Sequence, residues 1–188
     1  MSTILQPRVW TDEELLALPK DGNKYEVLKG ILTMSPAGFT HEFIGVRLIM
    51  ALGNYVQLHK LGAVLGSSLG CWMENRDFLS PDVSFIAKDR IKGEKNPGEK
   101  FFDGAPDLVV EVLSPSERNK LRYDKLVDYF ANGSRLVWVI NPKQRVVLIY
   151  HSPENHEILR EGDVISGESV LPGFTLPVSE LFAELNFD

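Results

Sequence analysis

An α/β fold is what the sequence predicts, and three observations carry that expectation. Apolar residues recur at helical spacing in two separate segments, from Thr40 to Gly62 and from Ser116 to Gly133. Short apolar runs bounded by turn residues, Leu79 to Ile86, Leu108 to Leu113 and Leu136 to Ile140, lie around the second of them. The run Leu108-Val-Val-Glu-Val-Leu113 is apolar at every position but Glu111, as in a central strand covered on both faces.

Each element has its own local signal. Thr11-Asp-Glu-Glu14 has the form of a capping box opening a short helix that ends before Pro19. Tyr25 to Met34 reads as a hairpin around Lys29-Gly30. Thr40 is placed to cap a long helix, with Phe43, Val46, Leu48, Ile49, Leu52 and Val56 at helical spacing and Gly62 as its stop. Ala63 to Glu74 and Leu79 to Ile86 follow as strands, and the Asn75-Arg76-Asp77 turn between them favours an antiparallel pair. Lys88 to Asp103 reads as an insertion-like loop. Ser116 caps a second helix running to about Asn132, with Leu121, Leu126, Val127 and Phe130 inward and Gly133 closing it. Asn141-Pro-Lys-Gln then turns strand Leu136 to Ile140 into Arg145 to His151. From the long helix onward the order is α-β-β-β-α-β. No repeat or strong boundary interrupts it, so residues 1–188 read as one domain.

Composition narrows the function classes. Hydrophobic content of 44% and charged content of 24% are those of an ordinary globular protein. The lone Cys71 cannot form an internal disulfide, which fits a reducing cytoplasm. The N-terminus has no secretory pattern, and no apolar run reaches the roughly 18 residues of a membrane span. A net charge of −6 argues against a whole-molecule electrostatic nucleic-acid binder. Any such contact is local, and two stretches allow it. Lys88, Arg90, Lys92, Lys95 and Lys100 outnumber Asp89, Glu94 and Glu99, and Arg118, Lys120, Arg122 and Lys125 outnumber Glu117 and Asp124. They read either as a solvated loop and helix face or as phosphate contacts beside the acidic strands.

Those acidic strands are the main clue. A carboxylate such as Glu111 inside a covered strand is expensive to desolvate unless a metal or a cation compensates it. Asp82 points away from Val83 and Phe85 on the preceding strand, and can stand across from Glu111 at about 5 Å. Two carboxylates on adjacent buried strands suit a hard divalent cation. Asp107 shares a face with Glu111 but lies about 13 Å away at roughly 3.3 Å per residue, too far to chelate the same ion. It is read as ordering the start of its strand. Glu26 is either a third carboxylate of the site or a solvent-facing residue. His41, at a helix start, either acts in the site or shapes it. The histidines have no zinc spacing, no Gly-rich phosphate loop is present, and Ser114 lacks the glycines of a nucleophile elbow.

The ordered set of residues resembles a family. Tyr25-Glu26 with Gly30, His41, Pro81-Asp82-Val83, Pro106-Asp107 through Glu111 to Ser114-Pro115-Ser116, Lys125, Tyr129, Gly133, and Trp138 with Asn141-Pro142 match at family spacing. The chain resembles the restriction-endonuclease-like PD-(D/E)XK superfamily, and within it the Uma-two group. The resemblance implies a restriction-endonuclease-like core with a mixed central sheet flanked by helices, plus an N-terminal hairpin and C-terminal strands. One position departs from the superfamily: Leu113 stands two residues after Glu111, where a lysine is expected. The resemblance places that lysine on the following helix as Lys125; the alternative is a surface lysine paired with Glu117 or Asp128.

What the resemblance implies is a Mg²⁺-dependent (or Mn²⁺-dependent) endonuclease hydrolysing DNA phosphodiester bonds. Asp82, Glu111 and the carbonyl of Val112 would hold the metal, with Lys125 and Glu26 as further catalytic residues. The basic stretches would track the DNA backbone, and a homodimer would cut two strands. Two alternatives stand beside it: an inactive nuclease fold kept as a binding or assembly module, and a metal-dependent hydrolase of another phosphoryl substrate.

Overall fold

The computed structural model describes residues 8–35, 38–91, 101–114 and 119–184. Helix α1 (Asp12–Leu16) opens with the expected capping box: Thr11 accepts from the Glu14 amide, and the Glu14 carboxylate accepts from the Thr11 amide. The hairpin follows as β1 (Lys24–Leu28) and β2 (Ile31–Ser35). The long helix α2 (Phe39–His59) starts two residues earlier than expected, from Gly38 with no side-chain cap, so Thr40 lies inside it. It ends at Lys60 in the left-handed conformation, not at Gly62. Gly62 opens the next strand instead, where a β-carbon would stand 2.0 Å from the Ile86 carbonyl oxygen. The buried face of α2 is Ile44, Leu48, Leu52 and Val56; Val46 faces out.

The two long strands expected from Ala63 to Glu74 and from Leu79 to Ile86 each break in two. The first gives β3 (Gly62–Gly66) and β4 (Cys71–Trp72); the second gives β5 (Phe78–Leu79) and β6 (Val83–Ala87). Both pairings are antiparallel as expected, but β3 and β6 belong to one sheet while β4 and β5 belong to another. The breaks have local causes. Pro81 has no amide to give a ladder. At Gly70 a β-carbon would stand 2.1 Å from the Phe78 ring, which packs over the bare backbone. In the expected loop, Lys88–Ile91 is a helical turn (α3) and Phe102–Asp103 is a strand (β7) parallel to β4. Residues 92–100 lie outside the described residues.

The central strand β8 (Leu108–Val112) is buried along its length, between β6 and β9 (Leu136–Asn141). Its pairing with β6 is antiparallel and with β9 parallel, so the sheet is mixed. Helix α4 (Asn119–Ala131) connects β8 to β9. Ser116 lies outside the described residues, as does the side chain of Leu121; Leu126 and Tyr129 are buried, and Val127 is exposed. After β9 come β10 (Val146–Ser152), β11 (Asn155–Leu159), the ribbon β12 (Val164–Ser166) and β13 (Thr175–Pro177), and α5 (Val178–Leu181). Two sheets of order β2-β1-β5-β4-β7 and β11-β10-β9-β8-β6-β3 result, with the small β12-β13 ribbon.

Strand periodicity sorts the core. Leu108, Val110 and Val112 join Leu136, Trp138 and Ile140 beneath α2. Val109, Val137 and Val139 face the other way, toward Leu126 and Tyr129 of α4 and Leu28, Cys71 and Leu79 of the first sheet. Glu111 shares the parity of Val109, so its carboxylate enters the space between the two sheets and α4.

A second acidic contact ties the β4–β5 turn to α4. The Asn75 amide donates to Asp128 at 2.8 Å, and the backbone of Lys29 donates to Asp77 at 2.6 Å. Burial, then the neighbouring Asp77 carboxylate, pushes the Asp128 carboxyl up to about 7. Its folded pKa exceeds its unfolded value, so its contribution to stability is full below about pH 4 and lost as pH rises through about 7. Asp128→Asn should therefore flatten the fall in stability across that window. It should leave the protein more stable than wild type at pH 8, by on the order of 1–2 kcal/mol once solvent screening is allowed for. Urea unfolding at pH 4 and pH 8 checks it; a variant that loses stability equally at both would refute the electrostatic account.

Candidate active site

Three carboxylates and two ammonium groups meet at the crease between the sheets. Lys24 and Glu26 are two apart on β1, on the face that carries Leu28 into the inter-sheet core. Asp82 occupies the break between β5 and β6; the Val83–Val110 pairing, continued by one residue, sets it across from Glu111. Lys125 and Tyr129 project from α4 one turn apart. His41 comes from the first turn of α2.

The distances define one network. Lys24 Nζ lies 2.7 Å from Asp82 and 3.8 Å from each of Glu26 and Glu111. Lys125 Nζ lies 2.7 Å from Glu26 and 3.6 Å from Glu111. The Tyr129 hydroxyl donates to Glu111 at 2.5 Å, and the Ser80 amide to Glu26 at 3.0 Å. Asp82 accepts from the Val112 amide at 2.7 Å and stands 3.1 Å from His41 Nε2. Glu26, Asp82 and Glu111 are each only 6% exposed, so these contacts replace water.

Burial works against the charged form of each carboxylate, and the cations decide the outcome. At Asp82, Lys24 and His41 outweigh burial and hold the carboxyl well below the usual range. At Glu26, Lys125 and then Lys24 outweigh burial and lower the carboxyl pKa. At Glu111 burial prevails over both lysines, helped by the charges of Asp82 and Glu26, and the carboxyl rises to about 7. Burial opposes the charge of Lys24, but the three carboxylates surpass it and raise its pKa. The hydrogen bond to Asp82 raises that of His41.

Residues named from sequence are thus found together: Asp82, Glu111, Lys125 and Glu26 share one network, with the Val112 backbone at its edge and His41 behind Asp82. Glu26 is buried, not solvent-facing. Lys125 pairs with Glu26 and Glu111; Glu117 lies outside the described residues. Asp107 stands apart, accepting from the Ala87 amide at 2.8 Å and pairing with Arg90 and Arg135. Leu113 donates its amide to Ile140 and packs beside the core. Lys24 and the bond from Tyr129 to Glu111 went unread, although simple spacing signals both. A residue two before Glu26 on a strand, and one four after Lys125 on a helix, must share their faces.

A family model described as "Putative restriction endonuclease", Uma2, matches residues 12–179. The chain belongs to the Uma2 family. A crystal structure described as a "putative nuclease belonging to DUF820", from Anabaena variabilis, shares 22% identity with it. That match covers 90% of this chain and 96% of that one, with a TM-score of 0.79, and establishes the shared fold. No curated protein matches the chain. Among the described residues, no helix of this Uma2 protein is long and apolar enough to cross a membrane.

The donor set suits a hard cation. Among the described residues no three His, Cys, Asp or Glu groups form a ready ligand cluster, and the carboxylates surround an ammonium instead. Mg²⁺, however, commonly uses only one or two carboxylates, completing its shell with water and substrate phosphate. Asp82 and Glu111 are two carboxylates of that kind, set across from each other where the β6–β8 register continues by one residue.

Proposed function

We propose that this Uma2 protein is a metal-dependent endonuclease that hydrolyses DNA phosphodiester bonds. The observation that supports it is the convergence of Asp82, Glu111, Glu26, Lys24 and Lys125 on one buried crease. Asp82 and Glu111 would hold Mg²⁺ or Mn²⁺ through carboxylate oxygens. The Val112 carbonyl faces the same strand edge as its amide, on the Asp82 side, and would add a ligand. The bound ion would lower the pKa of a water and stabilise charge on the phosphate.

The chain's own groups divide the remaining work. Tyr129 fixes the rotamer of Glu111 by holding one oxygen, and the Val112 amide does the same for Asp82. Glu26 anchors Lys125 with its ammonium 3.6 Å from Glu111, where it can offset charge developing on the phosphate. Leu113 leaves no ammonium at the superfamily's usual position, and Lys125 supplies one from α4. That favours an active enzyme over an inactive module of the same fold. A homodimer would supply two such sites for the two strands of a duplex.

The test is cleavage of supercoiled, linear and single-stranded DNA with Mg²⁺, Mn²⁺ or EDTA, alongside Asp82→Asn. Metal-dependent strand scission lost in that variant is expected; no scission with either metal would sink the reading. The basic segment gives a separate expectation, although it lies outside the described residues. Neutralising Lys92, Lys95 and Lys100 together should weaken DNA binding alike across sequences and reduce its salt slope by up to about 3, one per phosphate contact. An unchanged slope would return the segment to a solvated loop.

A further inference from the structure

Each of the three site carboxylates turns one oxygen toward Lys24, and in Asp82 and Glu111 that oxygen is the one the rest of the fold leaves open. Asp82 Oδ2 accepts from the Val112 amide and faces His41, leaving Oδ1 at 2.7 Å from Lys24 Nζ. Glu111 Oε1 takes the Tyr129 hydroxyl and faces Lys125, leaving Oε2 at 3.8 Å. Glu26 Oε2 binds Lys125, and Oε1, which also accepts from the Ser80 amide, lies at 3.8 Å. Three oxygens from three separate elements therefore converge on one nitrogen. Carboxylates gather this way around a hard cation, and here an ammonium has the cation's place.

We propose that Lys24 is the resident cation of the metal-free site and that a divalent ion binds by displacing it. This rests on the metal-dependent reading above. Asp82 Oδ1 and Glu111 Oε2 are the oxygens each group has left, and both face Lys24 Nζ, so an ion held by both would compete with that ammonium for the space between them. A divalent charge and an ammonium cannot share it, because burial leaves little water to screen their repulsion. Lys24 also has somewhere to go. It lines a cavity of about 410 Å³ with Leu15, Leu18, Tyr25, Ser67 and Phe101, open beside the site. Its flexible four-carbon stem would let the ammonium turn into that space.

Calorimetry with Mn²⁺ alone, on the full chain and on Lys24→Met, tests the displacement. The variant should bind Mn²⁺ about tenfold or more tightly, a gain of about 1.4 kcal/mol or more, and should melt at a lower temperature in EDTA. A lysine with a merely structural role would lower the melting temperature without tightening metal binding. Should Lys24→Met fail to fold, reductive methylation of the wild-type chain read by mass spectrometry decides the matter. Lys24 should be protected in EDTA and labelled in saturating Mn²⁺. Equal or weaker Mn²⁺ affinity in the variant, or labelling unchanged by Mn²⁺, overturns the proposal. Equal uptake by both proteins removes the role of Lys24 while leaving the metal site standing. Absence of uptake by both removes the metal-dependent reading with it.

Discussion

Asp82→Asn and Glu111→Gln should both abolish Mg²⁺ and Mn²⁺ uptake and DNA cleavage, yet shift the stability of the metal-free protein in opposite directions. The carboxyl of Asp82 is held below its unfolded value, so its charged form stabilises the fold at every pH above about 4. Asparagine would take from Lys24 its one carboxylate at 2.7 Å and leave only the two at 3.8 Å. Removing one partner of such a buried pair costs about 3–5 kcal/mol. The carboxyl of Glu111 is raised to about 7, chiefly by burial. Its contribution is full below about pH 4.5 and lost as pH rises through about 7, so above that the ionised group works against folding. Glutamine can still accept from Tyr129, and at pH 8 it should raise stability by on the order of 1–3 kcal/mol. At pH 4.5 that gain should vanish while the loss in Asp82→Asn persists. Urea titrations in EDTA at the two pH values, with calorimetry for metal uptake, check both halves. Stability changes of the same sign at pH 8 would refute the charge distribution, and metal uptake by either variant would refute the ligand assignment.

The same contrast explains which parts of the site were legible in the sequence. A carboxylate inside an apolar strand is a local anomaly, so Glu111 could be read from six residues. Asp82 followed from side-chain parity and from the spacing that keeps Asp107 too far from Glu111, both short-range rules, and the register of β6 on β8 continues to the pair that parity requires. The α1 capping box, the β1–β2 hairpin and the α4–β9 connection are local in the same sense. What stayed hidden depends on long-range contact. Gly70 and Pro81 can mark where the two long strands break, but no local signal says that the halves then part into two sheets, and that parting brings β1 to the site. Without it Lys24 is an ordinary strand-end lysine, and the two readings of Glu26 cannot be separated. The start of α2 was misplaced for a smaller reason: a serine or threonine is the usual cap, and Gly38 fills that place with no side chain.

Lys125→Met should slow cleavage by about two or more orders of magnitude with metal uptake nearly intact, as expected when a group acts on the charge of a transition state. Methionine keeps the length and helix propensity of lysine, so α4 itself should persist. Stability should nevertheless fall, because Glu26 loses its contact at 2.7 Å and keeps Lys24 only at 3.8 Å. A slower enzyme could then reflect a loosened site, and a second substitution separates the causes. Glu26→Gln in the Lys125→Met background removes the unpaired buried charge and should recover most of the stability, while the cleavage rate stays low. Leu113→Lys offers the complementary gain. Its side chain is only half-buried, and its backbone is fixed by the amide bond to Ile140, so a lysine there would start from an ordered strand. In the Lys125→Met background it should restore part of the rate by returning an ammonium to the wider superfamily's position. Single-turnover cleavage with saturating Mg²⁺, read beside unfolding curves for each variant, supplies the comparison. Wild-type rates from Lys125→Met would make this lysine a structural partner of Glu26 and not a group that acts on the reacting phosphate.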